Sequence, residues 1–205
     1  MEFSAHARAR VAQQMASFER IAVDTAEHRA AAVALCLVAG DDGDAAFLLT
    51  RRVGKLRDHA GQWALPGGRL DDGEDAVTAA RRELREEIGL LVADDAILGV
   101  LDDYPTRSGF VITPVIMWID GPFTMTANPD EVASIHRIPM AELGHPSNPR
   151  LLTISESDRP VLQLRLGAGA HIHAPTAAVL WQLHELLEGR TTRVAHFDQP
   201  RFAWR

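Results

Sequence analysis

The sequence predicts one α/β domain with a mixed β-sheet, and three observations support that prediction. Short apolar runs of strand length alternate with segments of helical periodicity along the 205-residue chain. Apolar residues make up 46% of the chain and charged residues 24%, a balance that can supply a packed core. No Pro- or Ser-rich linker separates the predicted elements, so we expect them to share one fold.

The N-terminal part of the chain is predicted to form one helix followed by a β-hairpin. Residues 4–20 contain no helix breaker and place apolar side chains at helical spacing. Residues 30–39 and 45–50 are apolar runs of strand length, joined by an Asp- and Gly-rich turn at residues 41–44. The next segment, residues 51–68, is rich in Arg and Gly, and we expect it to be a long loop.

The rest of the chain is predicted to contain two more helices and several strands. Residues 75–88 give the clearest helical pattern, because Gly89 follows directly, where helices commonly end. Residues 176–187 predict another long helix. Residues 194–204 are apolar, so we expect this tail to pack against the body of the protein. Strands are predicted at residues 63–65, 96–101, 111–119, 131–138 and 160–166.

Charge and composition exclude several function classes. The formal net charge of −7 argues against general nucleic-acid binding, which needs a basic surface. It leaves room for a small phosphate-bearing ligand, because a local site can be basic on an acidic protein. The longest apolar stretch, residues 30–39, is far too short to span a membrane, and the N-terminus lacks a signal-peptide core. With Cys36 as its single cysteine, the chain is expected to be cytoplasmic.

Three acidic residues stand on one face of the predicted helix at residues 75–88. Glu83, Glu86 and Glu87 are spaced i, i+3 and i+4, beside an apolar stripe that can pack on a sheet. The like-charged pair Glu83 and Glu87 costs about 0.2–0.5 kcal/mol when solvated. A divalent cation such as Mg²⁺ or Mn²⁺ would remove that repulsion, since both prefer oxygen ligands. The alternative is a solvated charged helix with neighbouring arginines.

The spacing around these glutamates resembles the Nudix box. Gly68 is followed after five residues by Glu74, and after seven more by the run Arg82-Glu83-Leu84-x-Glu86-Glu87-x-Gly89-Leu90. All nine fixed positions of the pattern match. The resemblance implies an α/β/α sandwich with a mixed sheet, and hydrolysis of a nucleoside diphosphate linked to another group.

The same resemblance implies roles for individual residues. Glu83 or Glu87 would help to deprotonate the attacking water, and Arg82 would orient the carboxylates; the alternative for Arg82 is a plain surface ion pair. Glu74 would brace the loop or hold an outer metal ion. Gly67 would let the backbone approach the ligand closely. The expected ligands for Mg²⁺ or Mn²⁺ are the carboxylates of Glu83, Glu86 and Glu87 and the backbone carbonyl of Gly68.

Residues 48–68 are similar to a further motif found in the coenzyme A pyrophosphatase branch of the Nudix enzymes. That motif runs Leu-Leu-Thr-x-Arg, a small residue, three residues, Arg, three residues, Gly, three residues and Phe-Pro-Gly-Gly. Val53 replaces the small residue and Leu65 replaces Phe; both changes are apolar. A solvated loop remains the alternative to phosphate binding here. The expected substrate-binding residues are Arg51, Arg52, Lys55, Arg57 and Gly67.

Other candidates carry weaker signals. His59 lies in the same basic loop, and Glu131 could add a carboxylate from outside the box. His171 and His173 would share one face of a strand, but a zinc site would need further ligands. His173-Ala174 also stands where the branch has Trp-Gly, a change that could alter the substrate.

The sequence thus predicts hydrolysis of coenzyme A or acyl-CoA to 4′-phosphopantetheine, or its acyl form, and adenosine 3′,5′-bisphosphate. The alternatives are another nucleoside diphosphate derivative (ADP-ribose, a nucleotide cofactor or an oxidised nucleotide) and a non-catalytic Nudix-fold binding module. We expect a small-molecule partner, with neither nucleic acid nor membrane. Residues 1–29 would form a helical extension to a Nudix domain at residues 30–205, and this helix would pack in cis or against a second subunit of a homodimer.

Overall fold

The computed structural model describes residues 1–25, 27–54 and 61–200, which contain two β-sheets and three α-helices. The helices are α1 (Ala5–Ser17), α2 (Ala76–Ile88) and α3 (Thr176–Leu187). The strands are β1 (Arg29–Ala39), β2 (Ala45–Arg52), β3 (Trp63–Ala64), β4 (Gly67–Arg69), β5 (Ile97–Val100), β6 (Tyr104–Pro105), β7 (Phe110–Trp118), β8 (Val132–Pro139), β9 (Arg150–Ile154), β10 (Ser157–Leu166) and β11 (Ala170–His173).

The larger sheet is mixed, as predicted. Strand β1 runs parallel to β7 from the pair Arg29–Phe110 to the pair Leu37–Trp118. The other pairings are antiparallel: β2 with β1 and β8, and β7 with β5 and β6. Strands β9, β10 and β11 form a separate antiparallel sheet.

Alternation along β1 shows why this sheet has a layer on each side. Ala34 and Cys36 belong to an apolar cluster that includes Leu84 of α2. Leu35 and Leu37, which point the other way, belong to a second cluster with residues of α1, α3 and the smaller sheet. The result is the expected α/β/α sandwich, with Cys36 fully buried.

Capping residues set both ends of α2, the helix that carries the glutamates. Its N-cap Asp75 accepts a 2.8 Å hydrogen bond from the backbone N–H of Thr78. At the other end Gly89 adopts a left-handed φ of 68°, which favours glycine over other residues. The predicted helix at residues 75–88 is thereby confirmed to within one residue, and α3 has the bounds predicted for it.

The N-terminal helix is shorter than predicted. It ends at Ser17, where Phe18 turns to an extended conformation, and acids that follow β5 bind the backbone a few residues farther on. The backbone N–H of Ile21 donates to Asp102 (2.7 Å), and that of Val23 donates to Asp103 (3.0 Å). Helix α1 itself packs in cis, since its Ala7, Val11 and Met15 lie in the same apolar cluster as the sheet. The boundary at residue 29 and the homodimer stay predictions.

Strands β1 and β2 pair with each other only near their hairpin turn, over Leu37–Ala39 and Ala45–Phe47. Farther from the turn, β1 pairs with β4 and β2 pairs with β3. The glycines of β4 are therefore fixed in the sheet by backbone pairing, where sequence analysis expected a loop. Gly68 lies opposite Ala32 in that pairing.

The C-terminal tail packs against the body as far as residue 200. Val194 and Phe197 are buried, and the hydroxyl of Tyr104 donates a 2.8 Å hydrogen bond to the carbonyl of Phe197. Residues 201–204 of the predicted tail lie outside the described residues. None of the helices in the described ranges is long and apolar enough to cross a membrane.

Candidate active site

The three glutamates of α2 share one face but differ in exposure. The side chain of Glu87 is 4% exposed and that of Glu83 is 13% exposed, whereas that of Glu86 is 47% exposed. The helix therefore presents a row of carboxylates that runs from solvent into the protein. An acid this deeply buried next to other acids is costly unless a cation is close.

Arg82 is the hydrogen-bonding centre of this face. Its guanidinium donates to Glu83 (2.8 Å), Glu86 (3.1 Å) and Glu74 (3.0 and 3.1 Å) and to the backbone carbonyl of Arg69 (2.8 Å). Glu74 also accepts from the backbone N–H of Asp71 (2.9 Å), so it ties the loop before α2 to the helix. The bond from Arg82 lowers the pKa of Glu74 below its usual value. Arg82 thus connects the helix to the loop before it, and the bracing role of Glu74 and the orienting role of Arg82 stay predictions.

Glu87 is the least solvated of the three carboxylates. One of its oxygens lies 3.6 Å from the guanidinium of Arg52. The other, Oε2, is buried and has no hydrogen-bond partner among the described residues. Burial raises the pKa of Glu87 to about 8; Arg52 opposes the shift, while the charges of Glu83 and Glu131 add to it. Burial also raises the pKa of Glu83.

Two glycines in β4 make room for this arrangement. A Cβ atom on Gly68 would lie 2.2 Å from Oε1 of Glu83, so a larger residue would push the carboxylate away. A Cβ atom on Gly67 would lie 2.3 Å from the backbone oxygen of Ala32 and 2.7 Å from Cα of Val33. Gly67 is thus required by backbone packing, and Gly68 by the Glu83 carboxylate.

The donor set fits a divalent cation such as Mg²⁺ or Mn²⁺, which binds carboxylate and carbonyl oxygens. Such an ion would bind the buried Oε2 of Glu87, which has no hydrogen-bond partner among the described residues. It would also find the backbone of Gly68 next to the Glu83 carboxylate. In the described part of the chain, no three acidic, histidine or cysteine side chains are already gathered as a metal cage. Arg82 and Arg52 instead hold the glutamates.

A cleft of about 820 Å³ lies next to the glycines of β4, and none of the three glutamates is among its described lining residues. Gly67 and Gly68 form part of its wall, and Arg52, which lies beside Glu87, lines it as well. The Nε atom of Arg52 is buried and lacks a hydrogen-bond partner among the described residues, so its guanidinium has donor capacity to spare. The cleft and the carboxylates therefore meet at the glycine pair and at Arg52.

The structure tests where the predicted basic residues lie. Arg52 lines the cleft, but Arg51 is not among its lining residues, and its Nε donates to the carbonyl of Gly61 (3.3 Å). Lys55, Arg57 and His59 lie outside the described residues. Three further arginines that sequence reasoning did not select line the cleft: Arg29, Arg69 and Arg107. Arg69 directly follows Gly68 in the box and could have been found from that position.

The weaker candidates have mixed outcomes. Glu131 stands just before β8, near enough for its charge to raise the pKa values of Glu83 and Glu87. His171 and His173 lie on β11 and line the cleft. The described residues around them form no group of metal-binding side chains.

Comparison with known proteins gives a family. Residues 28–164 match the model of the NUDIX domain. An uncharacterized Nudix hydrolase of Escherichia coli, NudL, is 37% identical over 123 residues, which are 60% of this chain and 63% of that protein. The NudL of Cronobacter sakazakii is 40% identical over 97 residues, covering 47% of this chain and 50% of that protein. These matches span less than two thirds of the relatives' own length.

A solved structure shows a similar fold. A MutT/nudix family protein from Enterococcus faecalis superposes with a TM-score of 0.50 at 16% identity, covering 83% of this chain and 68% of that chain. At this identity the likeness concerns the fold alone.

Proposed function

Because the chain belongs to the Nudix family, we propose that it is a pyrophosphohydrolase that cleaves the diphosphate bond of coenzyme A or acyl-CoA with Mg²⁺ or Mn²⁺. Water adds to one phosphorus, and the bridging oxygen leaves with the other. The products are 4′-phosphopantetheine, or its acyl form, and adenosine 3′,5′-bisphosphate. The observation that carries the proposal is the arginine-lined cleft, which meets the glutamate row at Gly67, Gly68 and Arg52.

The proposed metal ligands are those named by the box: the carboxylates of Glu83, Glu86 and Glu87 and the carbonyl oxygen of Gly68. A bound divalent cation would neutralise phosphate oxygens and make the attacking water more acidic. Placing these oxygens on a capped helix and on a strand of the sheet keeps their spacing fixed, since neither element depends on a free loop.

Side chains of the protein would bind the substrate, accept the proton from water and position the carboxylates. Arg52 would bind the diphosphate, because its guanidinium lines the cleft and its buried Nε has no acceptor among the described residues. Glu83 and Glu87 are the proposed acceptors of the proton from water, since both carboxylates are shielded and close to the cleft wall. Arg82 would position Glu83 and Glu86 without touching the substrate.

The proposed substrate follows from charge. Coenzyme A carries a 3′-phosphate in addition to its diphosphate, so it needs more cationic contacts than a simple nucleotide sugar. Four arginines of the described chain line the cleft: Arg29, Arg52, Arg69 and Arg107. Apolar and aromatic side chains, among them Trp63, Phe110 and Ile172, line the same space and suit adenine and pantetheine. Because a single cysteine leaves the chain without an internal disulfide, we propose the reducing cytoplasm as the location.

A substrate panel with product analysis tests the proposal. The protein is incubated with CoA, acetyl-CoA, ADP-ribose and an oxidised nucleotide in ¹⁸O-water containing Mg²⁺ or Mn²⁺, and the products are analysed by mass spectrometry. We expect cleavage of CoA and acetyl-CoA, with ¹⁸O on one product, and no cleavage when EDTA is present. Cleavage of ADP-ribose alone would refute the CoA assignment and leave the hydrolase activity standing.

Two variants separate catalysis from binding alone. Glu83→Gln and Glu87→Gln should each abolish hydrolysis, whereas Glu188→Gln, at an exposed position after α3, should not. Retained activity in both active-site variants would contradict the proposed metal site. If the parent protein binds CoA but turns nothing over, it is a binding module.

A further inference from the structure

Two arginines at the cleft wall stack against the same aromatic ring. The guanidinium carbon of Arg29 lies 4.1 Å from the ring centre of Phe110, and that of Arg69 lies 5.3 Å from it. The strand register explains the cluster. Arg29 is paired with Phe110 between β1 and β7, and Arg69 is paired with Ala31 between β4 and β1. Positions 29 and 31 share a face of β1, so both guanidinium groups reach the same side of the sheet.

Among the described residues, this pair of cations lacks an acidic counterpart. In the described part of the chain, no carboxylate lies within ion-pair distance of Arg29 or Arg69. The hydrogen bond that Arg29 makes goes to the neutral carbonyl of Ser108 (3.2 Å). Arg107, in the same wall, is already paired with Asp198 (3.4 Å). In a chain of net charge −7, two adjacent guanidinium groups without an acid are conspicuous, because an anion between them would relieve their mutual repulsion.

The position of the pair relative to the glutamates suggests what the anion is. Arg69 directly follows Gly68, and its carbonyl accepts the hydrogen bond from Arg82, so the pair lies next to the glycine wall. Arg29 lies two residues along β1 from the partner of Arg69, or roughly 7 Å. A diphosphate at Gly68 and a second phosphate on the same ribose would be separated by one sugar ring.

We propose that Arg29 and Arg69, held against Phe110, form a subsite for a phosphate monoester on the ribose of the substrate. The inference rests on the proposed function, because it assigns the 3′-phosphate of CoA to this subsite and the diphosphate to Arg52. The two arginines then determine the preference for 3′-phosphorylated ligands and take no part in bond cleavage. Guanidinium groups stacked on a ring keep their N–H edges free for a phosphate.

Steady-state kinetics on CoA and 3′-dephospho-CoA test the subsite. The parent protein should favour CoA by at least roughly tenfold in kcat/KM, with the difference in KM. Arg29→Gln and Arg69→Gln should each remove most of that preference by raising KM for CoA, with kcat and the constants for 3′-dephospho-CoA nearly unchanged. Arg165→Gln, an exposed arginine outside the cleft, is the matched control and should behave as the parent.

The outcomes distinguish the subsite from the function itself. Equal kcat/KM for both substrates in the parent, or an unchanged preference in both variants, would overturn the subsite while CoA hydrolysis stands. If neither substrate is cleaved, the proposed function fails, and calorimetry still tests the subsite with two probes. Adenosine 3′,5′-bisphosphate should then bind the parent at least roughly tenfold more tightly than adenosine 5′-monophosphate and lose that advantage in the variants; equal affinities would overturn the inference.

Discussion

Glu87→Gln should make the metal-free protein more stable while abolishing the proposed activity. The Glu87 side chain is only 4% exposed, and its Oε2 has no hydrogen-bond partner among the described residues. Burial raises the pKa of this carboxyl group to about 8, from an ordinary value of 4.5. The folded state therefore binds a proton more tightly than the unfolded state does, and stability falls as the pH rises from about 4.5 towards 8.

The magnitude follows from that difference in pKa. At pH 7 the unfolded carboxyl group is ionised and the folded one is mostly protonated, which costs about 3 kcal/mol of folding free energy; at pH 5 the cost is under about 1 kcal/mol. A glutamine cannot ionise, but its buried amide would lack hydrogen-bond partners, which costs about 1–2 kcal/mol of folding free energy. The expected net gain at pH 7 is about 1–2 kcal/mol, or about 2–8 °C in Tm for a chain of this size.

Thermal unfolding in EDTA at pH 5 and pH 7 measures this effect. Glu87→Gln should raise Tm at pH 7 and lose that advantage at pH 5. Glu86→Gln is the matched control on the same helix face, because its side chain is 47% exposed, and it should change Tm little at either pH. A lower Tm for Glu87→Gln at pH 7, or a gain that is the same at both pH values, would refute the reasoning.

Four further predictions concern the glycine pair, Arg52 and the buried Asp102. Gly68→Ala should lower kcat about 100-fold with little change in Tm, because its Cβ would lie 2.2 Å from the Glu83 carboxylate and displace it. Gly67→Ala should instead lower the free energy of unfolding in urea by about 2–4 kcal/mol, because its Cβ would collide with the backbone of β1. Arg52→Gln should raise KM about tenfold at similar Tm, by steady-state assay, whereas unchanged KM would remove it from the substrate site. Asp102→Ala should cost about 3 kcal/mol in urea unfolding, because this buried carboxylate holds Arg193 at 2.7 Å, while the exposed Asp41→Ala should cost less than about 0.5 kcal/mol.

The sequence predicted the elements whose signals are local. Helix α2 was found because its N-cap Asp75 and its terminal Gly89 are encoded within a few residues of its ends. Strand β1 was found because it is apolar on both faces, and the structure buries both. Strand β9 was missed because it is largely exposed, and β11 was missed because its alternation of apolar and polar residues extends over only 4 residues.

The parts of the site that could not be predicted depend on pairing between distant segments. Arg29 and Phe110 are 81 positions apart, and only the parallel register of β1 and β7 brings them together. Asp102 and Asp103 look like surface acids in the sequence, but both are buried as anchors for the chain after α1 and the segment after α3. The sequence around a charged residue does not show which distant residue will form an ion pair with it.

The acidic residues of α2 and the arginine-lined cleft adjoin at Gly67 and Gly68, and Arg52 contacts both. In the structure its guanidinium lies 3.6 Å from Glu87 and also lines the cleft. An anion bound in the cleft would compete with Glu87 for the same guanidinium, and its capture of Arg52 would leave the Glu87 carboxylate without its nearest cation. Since burial already raises the pKa of Glu87 to about 8, the carboxyl group would then either keep its proton or take a divalent cation as its new charge partner. When a divalent cation is available, anion binding in the cleft and cation binding at the glutamates would therefore be coupled through the ion pair between Arg52 and Glu87.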